Sequence, residues 1–155
     1  MIGDRQRVRP VDELAADLLR RGSPLRIKAR GGSMTPFVRD GDVALVTPTA
    51  GRGVGIGDVI CYETPPGKLV LHRVLARDVN RFVAKGDALT VVEIVDQARL
   101  LGKVVAVERR GTITRFDTRV ARWRNRVIAV LSPFFPPLLS LALRLRRVWR
   151  VALHG

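Results

Sequence analysis

Thiol chemistry has almost nothing to work with in this chain. A single cysteine, Cys61, sits inside an apolar run, which excludes a disulfide framework within the chain and a metal cluster built on thiolates. It reads as a small buried hydrophobe. Histidine is nearly as scarce, with His72 in mid-chain and His154 next to the last residue. Aromatic residues make up only 5% of the chain, too few to interleave with basic residues as a nucleic-acid stacking platform. Acidic residues number 14 against 28 basic ones, a net charge of +14. Such an excess favours an anionic partner and says nothing about fold. The opening "MIGDRQRVRP" has no apolar stretch, so neither a signal peptide nor an N-terminal anchor is expected. No internal repeat or low-complexity segment is evident. The glycine-rich "GRGVGIGD" lacks the Gly-Lys-Ser/Thr ending of a phosphate-binding loop and reads as a hairpin tip. No metal or other cofactor is expected.

What remains is enough for one globular domain: 155 residues, 46% of them apolar, argue for a real core. Residues 1–24 contain one amphipathic helix. Val11, Leu14, Ala15, Leu18 and Leu19 fall at helical spacing, Pro10 and Asp12 fit its start, and Gly22 its stop. Residues 25–116 change texture to short, β-branched, partly alternating segments: "LRIKAR", "DVALVTP", "DVICYET", "KLVLHRVLARD", "RFVAKGD", "GKVVAVERR" and "TITRFD". Gly, Pro and Asp punctuate them, so the expected fold is mainly β, a folded antiparallel sheet or barrel-like core. Asp42 and Asp58 each follow a glycine and precede a strand, as turn residues do.

Residues 117–155 form a third region. "VIAVLSPFFPPLLSLAL", Val127–Leu143, carries no charge and lies between Arg-rich flanks. Pro133, Pro136 and Pro137 interrupt it, and it sits at the lower edge of the length needed to cross a bilayer. Two readings stay open. One is a helical hairpin or in-plane anchor, with residues 122–150 on an anionic membrane surface and Trp123 and Trp149 at the interface. The other is a pair of C-terminal helices packed on the β-core or on a second subunit. Arginines on both flanks would keep both ends, and the core, on the cytoplasmic side.

The candidate chemistry centres on "GGSMTPFVRDGDVALV", Gly31–Val46. A serine attacks an amide when a base takes its proton and donors stabilise the oxyanion. Gly31 and Gly32 permit close backbone approach at Ser33, and N–H groups at Gly32 and Ser33 are candidate oxyanion donors. Met34 reads as a core or pocket-wall residue beside the substrate, and Pro36 stiffens the exit. Downstream, "LVLHRVL" sets His72 in an apolar strand, where imidazole can act as general base near neutral pH. "FVAKGD" then brings Asp87, an acid that could fix the imidazole tautomer. Taken singly, each is an ordinary residue: a turn serine, a strand histidine, a turn aspartate.

The ordered set resembles the S24/S26 peptidase superfamily, closest to type I signal peptidases of the archaeal and endoplasmic-reticulum kind. "GGSMTPFVRDGDVALV", "GDVICYE", "LVLHRVL" and "FVAKGDAL" are similar to its successive boxes and cover about two-fifths of the chain. The resemblance implies a serine endopeptidase with Ser33 as nucleophile and His72 as general base. The substrate would be an extended peptide segment with small residues before the cut. Bacterial relatives use a lysine as base; Lys68 and Lys85 are present but outside the matching box. Asp87 matches the family's first acid and Glu93 stands near the place of a second, with Asp96 close by, so the acid serving His72 stays open. Departures are the missing N-terminal anchor, the missing asparagine and second aspartate after Asp87, and Gly32 where a hydroxyl could aid the oxyanion. The competing function is a catalytically idle module of the same fold, binding membrane or nucleic acid through its basic tail.

Overall fold

A computed structural model describes residues 10–131. Its elements are helix α1 (Pro10–Arg20), strands β1 (Leu25–Lys28), β2 (Val43–Pro48), β3 (Val59–Thr64), β4 (Lys68–Arg77), β5 (Arg81–Lys85), β6 (Val92–Asp96), β7 (Leu100–Arg109) and β8 (Thr112–Arg115), and helix α2 (Arg119–Leu131). The protein is mainly β. One eight-stranded antiparallel sheet runs β1-β2-β7-β3-β4-β5-β6, with β8 added on β7. The strands fall inside the expected 25–116 span. The sheet is open along this path, since β1 and β6 are its two ends.

β7 organises the topology. It pairs with β2 along one side, with β3 through its first half and with β8 through its second. Because β7 lies between β2 and β3, "GRGVGIGD" is a crossover connection and not a hairpin tip. Tight hairpins lie elsewhere, at Thr64–Lys68 between β3 and β4, at Asp78–Arg81 between β4 and β5 and at Arg109–Thr112 between β7 and β8.

Alternation along β3 divides the apolar interior. Val59 and Cys61 point into one cluster with Ala16, Leu19, Met34, Val46 and Val104. Ile60 and Tyr62 point into the other with Val54, Val74, Phe82, Ala84 and Val95, as a period of two requires. Helix α1 covers the first cluster. Its buried face is Ala16 and Leu19, while Val11 and Leu14 are exposed. The inward stripe is therefore rotated from the expected one. Ala16 and Leu19 are buried, and Asp12, Ala15 and Leu18 are half-buried beside them. Gly22, at φ +86°, ends the helix, with bonds from Gly22 N–H to Leu19 O and from Ser23 N–H to Leu18 O.

Thr118 starts α2 by accepting the Ala121 N–H on its hydroxyl at 3.1 Å. Ala121, Asn125, Ile128 and Ala129 face the domain. Gly57 lets the helix backbone approach closely, because a Cβ there would lie 2.6 Å from the Asn125 carbonyl carbon. Among the described residues no helix is long and apolar enough to cross a membrane. Most of the apolar run Val127–Leu143, its prolines and Trp149 lie outside the described residues, as does any second C-terminal helix.

Candidate active site

Ser33 lies on the loop joining β1 to β2. The base of that loop is closed by Ala29 N–H to Asp42 O at 2.8 Å and Gly41 N–H to Ala29 O at 2.9 Å. Met34 and Val38 are buried in the first cluster and anchor it from inside. Asp40 accepts the Gly31 N–H at 2.8 Å, and Asp42 accepts the Arg39 N–H at 2.8 Å while holding the Arg109 guanidinium. Pro36 stands exposed on the rim. Asp42 is thus a turn residue, as is Asp58, which accepts the Gly55 N–H at 2.9 Å.

The Ser33 backbone is clamped to the loop after β5. Its carbonyl accepts the Ala88 N–H at 2.9 Å. Gly86 makes this possible, for a Cβ at that position would lie 2.6 Å from the Ser33 oxygen. The glycine of "KGD" is therefore a packing requirement between two of the sequence boxes. The N–H groups of Gly32 and Ser33 donate no hydrogen bond among the described residues, and the Ser33 hydroxyl is not bonded to His72 in this structure.

His72 occupies the middle of β4 and is 5% exposed. Its ring faces the second cluster, where the β3–β4 register sets Ile60 opposite His72 and Tyr62 opposite Val70. Tyr62 Oη lies 2.9 Å from His72 Nδ1, and the two rings meet edge to face at 5.8 Å. The same hydroxyl donates to Glu93 Oε2. Glu93 Oε2 is itself 3.6 Å from Nδ1, beyond hydrogen-bond reach. Burial pushes the His72 pKa below its usual 6.5, the charges of Glu93 and Asp87 push it back up, and Lys85 pushes it down. The imidazole is therefore neutral near pH 7 and able to accept a proton.

Asp87 does not hold the imidazole. Both its oxygens go to Arg73, with Nε to Oδ1 and Nη2 to Oδ2 each at 2.8 Å, and both side chains are fully buried. Arg73 also donates to Gly57 O at 2.9 Å and lies 5.3 Å from the centroid of the Phe37 ring. One guanidinium thus joins the Ser33 loop, the Asp87 loop and the turn before β3. Asp87 reaches His72 only through its charge. Asp96 pairs with Arg81 at the surface, so the acid nearest the imidazole is Glu93.

Lys85 is buried beside this site and donates from Nζ to Leu89 O at 2.7 Å. Burial lowers its pKa from 10.5, and the Asp87 charge opposes that. Lys68 lies exposed at the start of β4, away from the site. Burial also drives the Cys61 thiol up to about 12, which makes it inert as a nucleophile.

Sequence reasoning passes over Tyr62, Arg73 and strand β6. Counting back from the "TPPGK" turn sets the chain's one tyrosine on His72's face of the hairpin, a signal present in "DVICYET". No family model, curated protein or solved structure matches the chain.

Proposed function

We propose that this chain is a serine endopeptidase resembling type I signal peptidases of the archaeal and endoplasmic-reticulum kind, with Ser33 as nucleophile and His72 as general base. The observation that carries the reading is the clamp between Ser33 O and the Gly86–Ala88 loop. It joins the serine box to the "KGD" segment, whose Asp87 is held by Arg73, the residue after His72 on β4. Two segments separated by dozens of residues, "GGSM" and "KGD", meet at this clamp.

In the reaction, His72 Nε2 takes the Ser33 hydroxyl proton as Oγ attacks the scissile carbonyl carbon. The tetrahedral oxyanion is stabilised by the N–H groups of Gly32 and Ser33. His72 passes its proton to the leaving amine as the C–N bond breaks, which leaves an acyl-serine. Water, deprotonated by the same Nε2, releases the acid and restores Ser33. The substrate is an extended segment. β1 is an end strand of the sheet and leads directly into the Ser33 loop, so a peptide added along it would run towards the nucleophile. The resemblance implies small residues just before the cut.

The test is cleavage of a peptide library by purified protein, read by mass spectrometry. Ser33→Ala abolishes cleavage while circular dichroism stays unchanged. Cleavage retained by that variant ends the peptidase reading and leaves the idle β-module.

A separate observation favours attachment to an anionic membrane surface. On α2, Val120, Trp123, Val127 and Val130 form an exposed stripe away from the buried face, and Trp123 is 70% exposed. Arg119, Arg122, Arg124 and Arg126 accompany it. An apolar stripe with a tryptophan and flanking arginines suits an interfacial helix. Residues 122–150 then form the docking segment, with the catalytic core on the cytoplasmic side. The full chain co-floats with anionic vesicles, and Trp123→Ser weakens that binding. A chain that stays at the bottom of the gradient makes α2 a packing element.

A further inference from the structure

We infer that Tyr62 is a positioning residue for His72: its hydroxyl holds the imidazole as the Nδ1–H tautomer and couples it to the Glu93 carboxylate, leaving Nε2 as the proton acceptor. For its catalytic consequence this rests on the peptidase reading; the geometry stands without it.

A count of protons carries the inference. The Tyr62 hydroxyl has one proton and two neighbours, His72 Nδ1 at 2.9 Å and Glu93 Oε2. A carboxylate only accepts, so the hydroxyl proton goes to Glu93. The hydroxyl lone pair then accepts from Nδ1–H. A neutral imidazole has one N–H, so Nε2 bears the lone pair. When Nε2 takes a proton, Nδ1–H stays bonded to Tyr62, and the carboxylate charge behind the hydroxyl favours the cation. The direct Nδ1–Oε2 separation of 3.6 Å is too long for Glu93 to do this without the intervening oxygen.

Packing fixes the arrangement. Tyr62 is fully buried among Ile60, Val74, Phe82 and Val95, so its ring cannot turn the hydroxyl elsewhere. Glu93 arrives from β6, opposite Ala84 of β5. The other charged groups around the pair are accounted for. Asp87 is held by Arg73, Lys85 bonds Leu89 O, and the Arg99 guanidinium lies 5.6 Å from the Tyr62 ring centroid. Burial, with the bond to Glu93 adding to it, raises the Tyr62 pKa well above the ordinary phenol range, so the hydroxyl keeps its proton.

The experiment is ¹⁵N imidazole NMR on the full chain, with a double-mutant cycle at Tyr62 and Glu93. At pH 8 the wild type shows protonated Nδ1 and unprotonated Nε2. Tyr62→Phe, which removes only the hydroxyl, abolishes that preference. Glu93→Gln lowers the His72 pKa in the wild-type background and moves it by less than half as much in Tyr62→Phe. Equal shifts in the two backgrounds, or an Nε2–H tautomer in the wild type, overturn the inference. Should Tyr62→Phe not fold, Glu93→Gln decides alone, and an unmoved His72 pKa overturns the coupling. In cleavage assays Tyr62→Phe lowers kcat roughly 10²-fold with KM held, as misorientation of a reacting group does. The NMR result is independent of cleavage. If wild type never cleaves while the tautomer and coupling hold, the peptidase reading falls and the positioning role stands. If cleavage proceeds and the coupling is absent, the positioning role falls alone.

Discussion

His72 and Arg73 are neighbours on one strand, and their side chains have different surroundings. Arg73 points to a face where everything is closed. Its carboxylate partner Asp87 is fully buried, two parallel N–H···O bonds join them, and Gly57 O takes a third donor. His72 points to the other face, where one hydroxyl leads to Glu93, 46% exposed along its side chain. A bidentate, sealed ion pair has one arrangement, fixed by its two parallel bonds. A neutral imidazole on a hydroxyl whose far partner touches solvent can gain and lose a proton. Alternation along a strand thus places a structural clamp and a titratable group one residue apart. The resemblance in "HRV" and "KGD" carries both, and only the geometry separates them.

The largest effect should come from breaking the sealed side. Asp87→Asn leaves the Arg73 charge buried without a counter-charge, and loss of one member of such a pair costs about 3–5 kcal/mol. Urea unfolding monitored by circular dichroism reads this directly. Replacing both partners by apolar residues, Arg73→Met with Asp87→Leu, should cost less than Asp87→Asn alone, because no charge is stranded. A single substitution costing under about 1 kcal/mol would make the pair an ordinary surface bridge and erase the contrast.

A middle-sized effect lies in the pH dependence of stability. His72 has a folded pKa below its reference value of 6.5, so the unfolded chain binds more protons in that window. Stability is then full above about pH 6.5 and falls as pH drops through it, levelling off below the folded value. Asp42 behaves as an ordinary paired carboxylate. Hydrogen bonds from Arg109 hold its pKa below 3.8, so its contribution is present above that value and lost as pH falls further. Acid weakening should therefore come in two steps, and His72→Gln should remove the upper step alone. Urea midpoints from pH 8 to pH 3 check this. An upper step that survives His72→Gln assigns it to another group. For activity, the acid limb of kcat/KM should lie below pH 6.5.

How much of this was legible in the sequence depends on what each residue needs. The strand texture of residues 25–116 is local, so the β-class and most strands were readable. Strand β6 was not, because "VEIVD" has acidic residues among its β-branched ones and follows a turn whose boundaries are unclear from composition. That strand carries Glu93. The open choice between Asp87, Glu93 and Asp96 needed the register of β5 on β6 and the knowledge that Arg73 claims Asp87. Both are long-range facts. The α1 stripe was misjudged for a related reason: periodicity gives two adjoining faces, and only the sheet beneath decides which is covered. Gly86 was visible as a glycine, but its reason is the Ser33 carbonyl, more than fifty residues away in sequence.

The smallest expected effect is the sharpest discriminator between the two faces of β4. Glu93→Gln is chemically the same change as Asp87→Asn, a carboxylate made into an amide of equal size. Glu93 is half open to water, so a lost charge there is replaced by hydration, and the amide oxygen still accepts the Tyr62 hydroxyl proton. Its stability change should stay within about 0.5 kcal/mol, as for most surface substitutions. The same substitution removes the charge that raises the His72 pKa. The acid limb of cleavage should then move to lower pH while the urea midpoint at pH 8 stays in place. A large stability loss would show that Glu93 is a structural anchor like Asp87, with the hydroxyl bridge serving packing on both sides of the strand. An unchanged limb with unchanged stability would make Glu93 a bystander. Movement of the limb alone is the outcome that sets the titrating face of the strand apart from the sealed one.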